Sequence, residues 1–180
     1  AYRLSCSAPL KTILDGPVVM TASEDWIPLK VELDVVPGSA LDFSGVLGHE
    51  VPAGKSGYVI ATDDGKFVFE KRPGEAVRFY GVNLCFSAHY IPHDQADTLA
   101  ERLFRLGYNT VRFHHHDGPL SDRSGGTSTG LNAGNLDQLD YLFSALKARG
   151  IYVTTDLYVS RRVFAGEVWP GESGDLEMNE

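Results

Sequence analysis

From Phe79 onward the chain alternates strand-like and helix-like segments in the order strand, helix, strand, helix, strand. That recurrence restricts this part of the chain to parallel βα units. Residues 94–106 carry Ala96, Leu99, Ala100, Leu103, Phe104 and Leu106 at helical spacing and stop at Gly107, a residue that ends helices because it enters left-handed backbone without a Cβ clash. Residues 109–114 form the next strand. A second helix over 136–149 carries Leu139, Tyr141, Leu142, Phe143, Ala145, Leu146 and Ala148, and Gly150 closes it. Residues 151–158 then read as the third strand. Between the second strand and the second helix, 118–134 is rich in Ser, Gly and Thr and reads as a long loop of the kind that carries function or moves. The last twenty or so residues are mixed and acidic, without clear periodicity.

The part before Phe79 reads differently. Residues 27–35 alternate, with Ile27, Leu29, Val31, Leu33 and Val35 on one face and Pro28, Lys30, Glu32 and Asp34 on the other, as a half-buried strand requires. Two β runs, 57–62 and 66–70, flank Asp63-Asp64-Gly65, a hairpin signal. A turn is expected at Arg72-Pro73-Gly74, followed by a strand over 77–84. The expected fold is therefore α/β: a β-rich module over 1–76, then over 77–180 the first three strands and two helices of a (β/α)₈ barrel, left incomplete.

At 43% hydrophobic and 22% charged, the 180 residues can bury a sizeable core. A net charge of -8 with no basic run argues against nucleic acid as a partner. No apolar stretch reaches the roughly 18–20 residues that span a bilayer, so no membrane association is expected. The first residues lack a signal-peptide layout, and the absence of an initiator methionine suggests an upstream segment removed. The chain reads as soluble, and its compartment stays open, an extracytoplasmic one included. Cys6 and Cys85 make neither a disulfide framework nor a zinc pattern; they read as two buried thiols, with a bridge between them as the alternative.

Barrel strands alternate between the helices and the interior, and barrel active sites lie at the C-terminal strand ends. Val111 and Phe113 then face the helices, whereas Arg112, His114 and His116 face inward. Thr154, Asp156 and Tyr158 share one parity, and Asn83 lies near the end of the first strand. The run His114-His115-His116-Asp117 invites a metal reading, but the sequence offers no convincing remainder of a ligand set. No metal and no cofactor is expected. These side chains read rather as hydrogen-bonding partners of sugar hydroxyls or as loop anchors, and Tyr90, Tyr158 and Trp169 as sugar-stacking or packing aromatics.

The segments Phe79-Tyr-Gly-Val-Asn-Leu84, Leu106-Gly-Tyr-Asn-Thr-Val-Arg-Phe-His114 and Leu146-Lys-Ala-Arg-Gly-Ile-Tyr-Val153 together resemble the first βα units of retaining glycoside hydrolases, most closely the cellulase-type family five. The resemblance covers about residues 65–158. It implies a carbohydrate substrate and a two-carboxylate mechanism. Arg112 then falls where an auxiliary arginine orients the catalytic nucleophile, with an arginine that closes a barrel ion pair without a catalytic role as the alternative, and Asn83, His114, His115, His116, Asp117, Asp156 and Tyr158 are candidate substrate contacts. The family places its acid/base and nucleophile after the fourth and seventh barrel strands. Both are expected outside this chain, and the isolated chain is expected to be inactive. Asn179-Glu180 imitates the Asn-Glu acid/base pair, but the loop-like run before it favours a solvated terminus.

Open barrel edges lead to the expectation of self-association or of pairing with the remainder of a barrel. Two other function classes stand beside this reading: a non-catalytic carbohydrate-binding or assembly module, and a metal-dependent hydrolase built on the histidines.

Overall fold

The computed structural model describes residues 21–28, 34–46, 48 and 50–176. The chain divides into two compact units, 1–33 and 34–180. In the first, Ser23 and Trp26 close a turn through reciprocal backbone hydrogen bonds of 2.9 and 3.3 Å. Most of the alternating run 27–35 lies outside the described residues, as do Cys6 and Asn179-Glu180. Cys85 is half-buried and carries a free thiol.

The second unit opens its regular structure with an antiparallel sheet of β1 (Val59–Ala61), β2 (Phe67–Phe69) and β3 (Arg72–Val77), in that order. The expected hairpin is β1–β2, with Val59 opposite Phe69 and Ala61 opposite Phe67. Its turn is closed by Thr62, whose N–H donates to the Lys66 carbonyl at 2.8 Å, and by Gly65 at φ +77°. An L side chain would be strained at that angle, so the Asp-Gly signal has a direct conformational cause.

The expected turn at Arg72-Pro73-Gly74 takes another form. Phe69 pairs with Arg72 and Val68 with Ala76, so Pro73, Gly74 and Glu75 fall into a register shift inside β3. Because β3 is an edge strand, the missing N–H of Pro73 costs no ladder bond there. The run read as one strand over 77–84 is also interrupted, because β3 ends at Val77 and β4 (Gly81–Cys85) belongs to the next sheet. Asn109 fixes the crossing: its Oδ1 accepts from Tyr80 N–H and its Nδ2 donates to the Arg78 carbonyl, both at 2.7 Å.

The second sheet is parallel, in the order β4, β5 (Thr110–His114), β6 (Tyr152–Thr155). Helix α1 (His93–Arg105) connects β4 to β5. The short α2 (Asp117–Leu120) and then α3 (Ala133–Ala148) connect β5 to β6, and the short α4 (Ala165–Val168) follows. α1 and α3 pack on one face of the sheet, with Ala96, Ala100, Leu103, Leu142, Ala145 and Leu146 buried against Leu84, Val111, Phe113 and Ile151. The alanines let the helix backbones approach closely, and each fully buried leucine contributes about 1.5–3 kcal/mol.

Helix α3 begins three residues before its apolar period, because Asn132 caps it by accepting the Asn135 N–H at 2.9 Å. It ends as expected at Gly150, φ +78°. The long loop read over 118–134 contains α2 at its start, and the aperiodic tail contains α4.

The antiparallel sheet is joined to the parallel one by aromatic contacts. Tyr152 stacks on Phe69 at 5.4 Å between ring centroids and meets Phe79 edge-on at 5.7 Å. Tyr152 is the first residue of β6, so this contact closes the N-terminal end of the parallel strands.

Candidate functional site

On the parallel sheet, the face turned away from the helices is polar. Register places Asn83, Arg112 and Thr154 side by side on β4, β5 and β6. Together with Val82 and with Gly81 and Thr110, the first residues of β4 and β5, they line a shallow open depression of about 320 Å³ over the start and middle of these strands. Period-2 geometry dictates this arrangement: Val111 and Phe113, on the same strand as Arg112, are 0% and 2% exposed against the helices.

One step toward the strand ends, Arg112, His114 and Asp156 form a single network. Arg112 donates to Asp156 Oδ1 from Nε at 3.1 Å and from Nη2 at 2.7 Å. His114 Nδ1 is hydrogen-bonded to Asp156 Oδ2. Hydrogen bonding by His114 and then by Arg112 holds the Asp156 carboxyl below the usual carboxylate range. Only one edge of the Arg112 fork faces Asp156, and the side chain remains 43% exposed. The network is thus a preorganised charged group beside an open depression.

Asp117 is placed differently from these three. Its carboxylate accepts the backbone N–H groups of Val159, Ser160 and Arg161 at 2.9–3.1 Å and the Ser160 hydroxyl at 2.6 Å. The Ser160 hydroxyl and these N–H groups together outweigh burial and hold its carboxyl well below the usual range. Asp117 therefore anchors the loop after β6. That loop carries Tyr158, 39% exposed, with the Arg161 guanidinium 5.7 Å from its ring centroid.

The alternation that would set His116 beside His114 ends at His115, whose φ is +55°. His114 bonds Asp156, whereas His116 turns to meet the ring of His89 at 5.9 Å. His116 Nδ1 and His115 Nδ1 are buried without a hydrogen-bond partner among the described residues. Among those residues no three His, Cys, Asp or Glu side chains converge as a metal ion would need.

Residues that the sequence reading did not single out complete the surroundings. His89, fully buried, bonds the Phe86 carbonyl through Nδ1 at 2.8 Å and packs on Phe113. Burial pushes its imidazole pKa down, against the opposing effect of the Phe86 carbonyl. The loop after α2 is tied to the segment after β6: Ser128 donates to Glu167 from N at 2.9 Å and from Oγ at 2.5 Å. Arg123 pairs with Asp175 and lies 3.9 Å over the Phe164 ring. No sequence signal marks the Ser128–Glu167 and Arg123–Asp175 pairs, because their partners lie 39 and 52 residues apart.

No family profile matches the chain, and no curated protein matches it. Among solved structures, a glycoside hydrolase family 5 protein from Bacteroides vulgatus is similar at 17% identity and a TM-score of 0.47, over 59% of this chain and 25% of that one. A second structure, described as a glycoside hydrolase, is similar at 16% identity and a TM-score of 0.47, over 59% of this chain and 26% of that one. The chain thus spans about a quarter of the length of the solved structures it matches.

Proposed function

We propose that this chain forms the carbohydrate-facing first wall of a retaining glycoside hydrolase acting on β-linked poly- or oligosaccharides. The observation that carries this reading is the Arg112–Asp156–His114 network at the C-terminal end of three parallel strands, beside a depression lined by Asn83, Arg112 and Thr154. Strand ends are where parallel α/β folds assemble their sites, and converging fixed donors and acceptors suit sugar hydroxyls.

In this reading β4, β5 and β6 are the first three strands of a (β/α)₈ barrel, with 1–76 and 77–180 as the domain division. Arg112 presents a guanidinium that orients the nucleophile. Asn83, His114, His115, His116, Asp156 and Tyr158 line the substrate side, and Asp117 acts by fixing the loop that bears Tyr158. The Asp156 and Asp117 carboxylates are both engaged in holding the structure. The acid/base and nucleophile accordingly come from further polypeptide, which also covers the open edges of the parallel sheet.

The engagement of both carboxylates equally favours a second reading, a carbohydrate-binding module without turnover. One experiment separates the two. The chain is titrated with β-1,4-linked hexaoses of glucose, mannose and xylose, and hydrolysis is assayed for the chain and for a longer polypeptide that continues beyond Glu180. Turnover by the longer polypeptide alone supports the enzyme. Binding without turnover by either supports the module, and absence of both binding and turnover with all of the sugars sinks both.

A further inference from the structure

Two bulky residues at the mouth share a backbone conformation that L residues rarely adopt. Phe86 follows the last residue of β4 at φ +54°, and His115 follows the last residue of β5 at φ +55°. In a phenylalanine a positive φ is an outlier, because Cβ crowds the carbonyl oxygen. Such conformations persist where the surroundings enforce them, and they concentrate at ligand sites. Cys85 and His114 are register partners, so the two outliers lie side by side.

The shared twist has a geometric result. Continued alternation would send both side chains to the helix side, with Leu84 and Phe113. Instead their rings stack on each other, 4.8 Å between centroids and 18° from parallel, and Phe86 is left 60% exposed. The His115 ring meets the His114 ring at 4.1 Å, and His114 in turn bonds Asp156. An exposed aromatic stack thus borders the charged network. His89 holds the arrangement from beneath, through its bond to the Phe86 carbonyl.

We propose that Phe86 and His115 form a stacking platform for a pyranose ring of the carbohydrate. A sugar ring has an apolar C–H face and a polar rim, and here an aromatic face adjoins fixed polar groups at His114, Asp156 and Arg112. The His89 bond fixes the Phe86 carbonyl, but it does not require an exposed aromatic side chain at that position. The inference rests on the carbohydrate reading above and adds the residues that select a ring-shaped ligand.

The test uses Phe86→Gly, which removes the ring and suits a positive φ, and Phe86→Tyr, which keeps the ring. Each variant of the 180-residue chain is titrated with the three β-1,4-linked hexaoses, alongside Asp156→Asn, and its Tm is recorded. Phe86→Gly is expected to keep or raise Tm while weakening binding about tenfold or more, and Phe86→Tyr to bind within about threefold of the parent. A purely structural role for Phe86 would instead lower Tm and leave affinity unchanged. Unaltered affinity in Phe86→Gly overturns the platform, and if Asp156→Asn then still weakens binding, the carbohydrate site stands without it. Absence of binding by the parent chain overturns the platform, and absence of turnover by the longer polypeptide as well overturns the carbohydrate reading.

Discussion

Asp117 and Ser160 are joined twice: the Ser160 N–H donates to Asp117 Oδ1 at 3.0 Å and its hydroxyl to the same oxygen at 2.6 Å. With Val159 and Arg161 adding their own N–H groups to Oδ2, a single buried carboxylate sets the path of the loop leaving β6. This relation turns a side chain after β5 into the template for the loop after β6.

Asp117→Ala removes the acceptor for all of these donors. An unmet buried donor costs about 1–3 kcal/mol, and water reaches some of them once the loop loosens, so a loss of about 2–3 kcal/mol is expected from urea unfolding. Amide exchange should quicken at 159–161 more than in β5.

His89 makes stability pH-dependent. Its folded pKa lies below the ordinary histidine value of 6.5, mainly through burial, with nearby His116 and His114 acting in the same sense. The unfolded chain therefore binds more protons, and the contribution of His89 is present above about pH 6.5 and lost as pH falls through its lower folded value. Tm is expected to drop between pH 7 and pH 5, and His89→Gln should flatten that drop. An unchanged pH profile in the variant would remove His89 as its source. Asp117 acts in the same direction at lower pH, since its carboxyl is held below its ordinary value of 3.8.

Gly150→Ala is expected to destabilise by about 1 kcal/mol or more. The residue sits at φ +78°, and an added Cβ would stand 2.6 Å from the Glu50 carbonyl oxygen, so neither the backbone angle nor the space admits it. A lowered urea midpoint with unchanged slope is the expected signature.

Leu142→Ala probes the packing of α3 on the parallel sheet. The side chain is 0% exposed within the core shared with Val111 and Phe113, and a buried leucine truncated to alanine costs about 2–5 kcal/mol. Equilibrium unfolding checks this. A loss below 1 kcal/mol would mean that the α3–sheet interface closes over the cavity.

Much of the fold can be read along the chain because its causes are local. Helical spacing in 94–106 and 136–149, the glycines that end those helices and the Asp-Gly hairpin turn act over a few residues. The same holds for one half of the site: period 2 along β5 separates Arg112 and His114 from Val111 and Phe113 without reference to any other segment. Local rules fail where backbone conformation depends on distant partners. His116 leaves the side of His114 because His115 takes a positive φ, and Pro73-Gly74, a turn signal in isolation, is absorbed as irregularity in an edge strand.

The sequence by itself therefore determined the βα recurrence, the faces of its strands and helices, and the polar character of one end of the sheet. All of these follow from short-range sterics and periodicity. The tertiary structure alone decided that Asp156 closes on Arg112 and His114, 44 and 42 residues away, that Asp117 templates the 159–161 loop, and that Phe86 stacks on His115. Each of these pairings arises when parallel strands bring distant segments into register, and no pattern within either segment encodes it.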